Sequence, residues 1–152
     1  MTTRTLENRL QKLLSAKEKQ EQVLEIEMAR IERSLYDCLA TEERWQRIKE
    51  QALHALREAR RRADLEQNAR YSAYLPHVRA QIRRCCSEGA ALKEARERVR
   101  EKLNEVMQSR KMLEKYRERL LRELSARREK AEERVLDSHA LQRFLEARPE
   151  TP

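Results

Sequence analysis

The sequence predicts an all-α protein in which two long helices form an antiparallel coiled-coil hairpin. Three observations predict it. Charged residues make up 41% of the 152 residues and aromatic residues only 4%, which excludes a thick core, because burying so many ions would be very costly. Leu, Val and Ile nevertheless recur at steps of three and four, and this regularity separates the chain from the disordered sequences of similar polarity. Breakers are sparse: there is one glycine, Gly89, and of three prolines only Pro76 precedes the extreme C-terminus.

The second helix, expected over about 73–147, carries the cleanest stripe. Steps from Leu75 land on Val78, Ile82, Cys85, Gly89, Leu92, Arg96, Val99, Leu103, Val106, Arg110, Leu113, Arg117, Leu120 and Leu124. A repeat near 3.5 residues implies a left-handed coiled coil. Pairs such as Glu118 with Arg122 and Glu123 with Arg127 add about 0.2–0.5 kcal/mol each on the solvated face. The first helix, expected over about 3–65, has a looser stripe: Leu6, Leu10 and Leu13, a weak stretch at Lys17 and Gln20, then Leu24, Met28, Ile31, Leu35, Cys38, Trp45, Ile48, Ala52, Leu56, Ala59 and Ala63. Its shrinkage to alanine allows close approach near the reversal.

The turn is expected over about 66–72. Pro76 then falls in the first turn of the second helix, where proline is tolerated, and Asn68 or Ser72 is a candidate cap. The alternative is a continuous helix kinked at Pro76. Residues 1–152 thus form a single hairpin with a short C-terminal tail, the helix fraying ahead of Pro149. At 1.5 Å per residue the helices would be about 90 and 110 Å long, so the second outruns the first.

The formal net charge is +8, which suits a nucleic acid, an anionic surface or an acidic protein partner without choosing among them. No stretch approaches the roughly 20 apolar residues needed to span a bilayer, and the N-terminal residues lack the apolar region of a signal peptide. A cytoplasmic protein is expected, and three cysteines suit a reducing compartment. No catalytic constellation is visible, and no cofactor is implied. His54, His77 and His139 are scattered; His54 and His77 could approach near the turn, but no third metal ligand is evident. With the reversal near residue 69, Cys38 faces about residue 100 and Cys85 about residue 53, too far apart for a disulfide. Both are read as buried seam residues, and Cys86 as exposed.

Three surfaces remain as binding candidates. The run Arg57 to Arg62 is the densest basic patch, read either as a solvated helix face or as a nucleic-acid contact without interleaved aromatics. Tyr71, Tyr74, Leu75 and Val78 form an aromatic-apolar cluster after the turn, read either as local packing or as an interface. Trp45 is read as a large seam residue rather than a docking site. At the other end, Leu6, Leu10, Leu13 and Leu14 are expected near Leu120, Leu121, Leu124, Val135 and Leu136, with Leu141, Phe144 and Leu145 beyond. Paired leucines widen the stripe past one partner helix, which suggests a further protein surface or self-association.

The layout resembles the FliJ/YscO family, the stalk proteins of type III secretion systems. Tyr71-x-x-Tyr74-Leu75-x-x-Val78-x-x-x-Ile82 looks like the stretch opening that family's second helix. Arg110-Lys111-x-x-Glu114-Lys115 looks like its basic-acidic motif. Both motifs are short and degenerate, whereas the layout likeness spans nearly the whole chain. The resemblance implies a non-enzymatic, monomeric central stalk at the cytoplasmic base of a membrane-embedded apparatus, without membrane insertion or nucleic acid. It implies contact with a hexameric secretion ATPase, with the cytosolic domain of an export gate, and with secretion chaperones. Carried over by position, Tyr74 and Val78 match gate contacts, within the cluster Tyr71, Tyr74, Leu75 and Val78, while Gln81 and Cys85 depart from that pattern. The ATPase end is implied by region only: Leu6, Leu10 and Leu13 with Leu136, Leu141 and Phe144. The absence of a glycine-rich turn favours the injectisome branch. A generic dimerising scaffold and a basic nucleic-acid-binding coiled coil are the alternatives.

Overall fold

A computed structural model describes residues 2–148. Two helices account for nearly all of them, α1 (Thr3–Arg61) and α2 (Leu65–Glu146), with no strand among the described residues. They pack against each other as an antiparallel hairpin: Arg60 meets Asn68, Trp45 meets His77 and Cys38 meets Cys85. The fold class is the expected one. The final residues of the expected C-terminal tail, 149–152, lie outside the described residues.

The reversal comes earlier than the sequence suggested. It occupies residues 62–64, not 66–72. Ala63 adopts φ 55°, the left-handed region. The Ala63 N–H donates to the Arg60 carbonyl (3.2 Å) and the Asp64 N–H to the Ala59 carbonyl (2.9 Å). These two bonds are the helix-closing pair of a Schellman motif, here with alanine in the position usually held by glycine. Asp64 then starts α2 at once. Its carboxylate Oδ1 accepts from the Gln67 N–H (3.1 Å) and its carbonyl from the Asn68 N–H (3.0 Å), so Asp64 is the N-cap rather than Asn68 or Ser72. Asn68 instead accepts a hydrogen bond from Arg60 Nε (3.4 Å). Pro76 consequently lies inside α2, not in its first turn.

The described residues divide into two compact units, one over residues 19–106 and one formed by residues 2–18 with residues 107–148. In the Lys19–Val106 unit, Ala52, Leu56 and Leu75 form a buried cluster against which Leu53 and Tyr71 pack. Val78 is the most deeply enclosed side chain, at 0% exposure, and such burial stabilises by about 1.5–3 kcal/mol. Gly89 is buried opposite Cys38, where an added Cβ would lie 3.8 Å from Cys38 Sγ. That is ordinary contact, so space alone does not demand glycine there.

In the other unit the α1 seam runs through Leu10 and Leu14, both buried, while Leu13 is 51% exposed. The expected stripe through Leu13 is thus displaced by one residue, because a step of four from Leu10 continues the seam. On α2, Leu113, Arg117, Leu120 and Leu124 are partly covered. Arginine serves there by laying its aliphatic stem on apolar neighbours, although Arg117 Nε is buried with no hydrogen-bond partner. Beyond Leu124, every described residue of α2 is exposed. Val135 and Leu136 therefore do not pair with the N-terminal leucines as expected. Moving the reversal toward the N-terminus shortened α1 to 59 residues against 82 in α2, so α2 loses its partner sooner.

Candidate partner-binding surfaces

The three cysteines lie close together across the seam. The new register brings the cysteines together instead of separating them: the Cys38 thiol donates to the Cys85 carbonyl at 3.2 Å, and the Cys86 thiol to Glu42 Oε1 at 3.3 Å. All three are free; Cys38 and Cys85 are buried seam residues and Cys86 is exposed, as expected. Burial, reinforced by Cys85, Glu88 and Glu42, pushes the Cys38 thiol above its ordinary range. The hydrogen bond to Glu42 chiefly does the same for Cys86. A raised thiol stays protonated at neutral pH and is a poor nucleophile. Among the described residues, no group of three or more His, Cys, Asp or Glu is arranged to hold a metal ion. His77 rests against Trp45.

The cluster after the reversal splits by helix geometry. Tyr71, Leu75 and Val78 are spaced by four and three and so share the seam face. Tyr71 is half-buried in the core cluster, Leu75 is 5% exposed and Val78 is closed off entirely. As direct contacts for a partner, Leu75 and Val78 are therefore corrected: they hold the two helices together. Tyr74 lies off the seam and is exposed. With Arg70, Tyr71 and Ala73 it lines an open depression of about 540 Å³.

Tyr74 has a neighbour that sequence reasoning missed. Its ring lies 6.0 Å from that of His77, which lies 6.0 Å from Trp45 in an edge-on arrangement. Trp45 belongs to α1, and only the corrected register carries it there. The sequence signal was present in Asp64-x-x-Gln67, a capping-box spacing, but the glycine that usually marks a helix stop was absent.

The residues expected at the ATPase end also separate. Leu6 is partly covered and Leu10 is buried in the seam, which removes Leu10 from any contact surface. Leu13 is half exposed, and Leu136, Leu141 and Phe144 are exposed on the bare stretch of α2 with Val135 and Leu145. Val135, Leu136, Ala140, Leu141, Phe144 and Leu145 point in all directions around the helix, with no gap wider than about 100° at 3.6 residues per turn.

No helix of the described residues is long and apolar enough to cross a membrane. The chain matches no family model, no curated protein and no solved structure.

Proposed function

We propose that this chain is a non-enzymatic coupling stalk of a type III export apparatus, acting at its cytoplasmic base between the hexameric secretion ATPase and the cytosolic domain of the export gate. The observation that carries the proposal is the bare end of α2, where apolar side chains are exposed around the full circumference of the helix. A helix that binds in a surface groove needs one apolar face, whereas here the apolar side chains alternate with charged ones around the whole helix, so no single groove covers them all. A ring that encircles the segment does. The FliJ/YscO likeness of the Tyr71–Ile82 and Arg110–Lys115 stretches supports the same reading, with Tyr74 as the exposed residue of the gate side.

The test is capture of the secretion ATPase by this chain, together with the ATPase hydrolysis rate with and without it. Association that changes the rate, and is lost when Leu136, Leu141 and Phe144 are replaced by Ser, is the expected result. No association and no rate change sinks the stalk reading. A second copy of the chain is the competing cover for the bare segment, and a light-scattering mass of a stable dimer without partners would favour the scaffold alternative.

A further inference from the structure

We propose that the face formed by Tyr74, His77 and Trp45, with Arg70 at its edge, is a docking site for an acidic, partly apolar protein segment. The inference deepens the reading of this side of the hairpin as a partner-binding surface and names the chemistry of the partner.

The composition of the face is the first argument. Trp, Tyr and Arg are the residue types that dominate binding hot spots, because they combine large apolar area with a polar handle. Here Trp45 of α1 and Tyr74 of α2 both rest against His77, and Arg70 lines the depression beside Tyr74. Tyr74 and His77 are exposed and Trp45 half-buried, so the rings are braced from below yet open above. The depression lined by Arg70, Tyr71, Ala73 and Tyr74 lies at the edge of the same face. Apolar ring edges call for apolar partner atoms, and the arginine and the tyrosine hydroxyl call for acceptors.

The distribution of charge is the second argument. Residues 45–84 contain ten Arg and Lys against four Asp and Glu, whereas the other residues contain 25 against 23. Most of the net charge of +8 thus lies in the stretch of the hairpin that carries this face. The guanidinium groups of Arg57, Arg62 and Arg70 form no hydrogen bond or ion pair with other described residues, so their charge is available. Guanidinium groups bind carboxylates in bidentate fashion, and a concentrated field of one sign speeds the approach of a partner of the other sign. A single-stranded nucleic acid would meet the same charge but needs free ring faces to stack on. Here Trp45 and His77 pack edge to face, which favours the protein segment.

Trp45 is the only tryptophan in the chain, so its emission reports on this face directly. The experiment titrates the full chain at low salt with a synthetic peptide rich in Glu, Asp and Leu, and in parallel with a random-sequence single-stranded oligonucleotide. The expected result is a saturable shift of Trp45 emission by the peptide, weakened about tenfold or more in Arg70→Gln and in Tyr74→Ala. Far-UV circular dichroism checks that helicity is retained; should Tyr74→Ala lose it, Arg70→Gln alone decides, since Arg70 is exposed. No saturable shift, equal affinity in Arg70→Gln, or tighter binding of the oligonucleotide overturns the inference. Binding of the peptide without capture of the ATPase would keep this site and remove the stalk reading, and the reverse outcome would keep the stalk and remove this site.

Discussion

Ala63 holds a conformation that suits glycine better. A Cβ in the left-handed region is crowded against the backbone by about 1–2 kcal/mol, yet the two helix-closing hydrogen bonds of the reversal require φ 55° there. Asp64, the next residue, is held by opposite logic, since its carboxylate is well placed to accept from the Gln67 N–H. Ala63→Gly is expected to stabilise the hairpin by about 0.5–1 kcal/mol, and Asp64→Ala to destabilise it by about 1 kcal/mol. Urea unfolding followed by circular dichroism measures both. A destabilised Ala63→Gly protein would show that the alanine is not strained. These two residues also explain why the turn was displaced in the sequence reading. Pro76 offered a stronger-looking start signal than Asp64, and the stop signal lacked its glycine.

The helices themselves were largely legible. Every α2 stripe position from Leu75 to Leu124 is buried or partly buried, because a heptad repeat over many turns leaves little choice of face. The partners across the seam were not legible, because the stripe specifies a face and the turn specifies the register. Once the register moved, Trp45 gained His77, and Cys38 gained Cys85. The largest local conflict within an element is Pro76. Proline has no N–H for the Ser72 carbonyl, and its ring crowds that carbonyl, at about 3 kcal/mol in a helix interior. α2 continues through it, with Leu75 and Val78 on either side buried against α1. Pro76→Ala is expected to stabilise the fold by about 1–3 kcal/mol, read as a higher urea midpoint. An unchanged midpoint would mean that the backbone at Ser72 is already relaxed around the ring.

For the molecule as a whole, stability and binding draw on different residues. The buried side chains end with the paired helices, and all described residues after Leu124 are exposed. A chain ending at Leu124 is therefore expected to keep its unfolding free energy within about 0.5 kcal/mol while losing the surface proposed for the ATPase. Denaturant unfolding with a capture assay separates the two effects. A large loss of stability would show that the removed stretch packs against the rest of the chain. The net charge follows a similar division, with the excess of arginine gathered near the reversal and the excess of exposed leucine on the bare stretch.

The three-residue reversal also gives folding a direction. Arg60 and Asn68 are brought together by closing a very short loop, whereas Cys38 and Cys85 are 47 residues apart in sequence. Loop closure becomes harder as the intervening chain lengthens, so the hairpin should zip from Ala63 outward, each formed pair shortening the search for the next. Opening runs the other way. Amide hydrogen exchange is expected to be slowest around Ala59 and Leu75 and progressively faster toward Leu10, and uniform protection along α1 would contradict such a zipper.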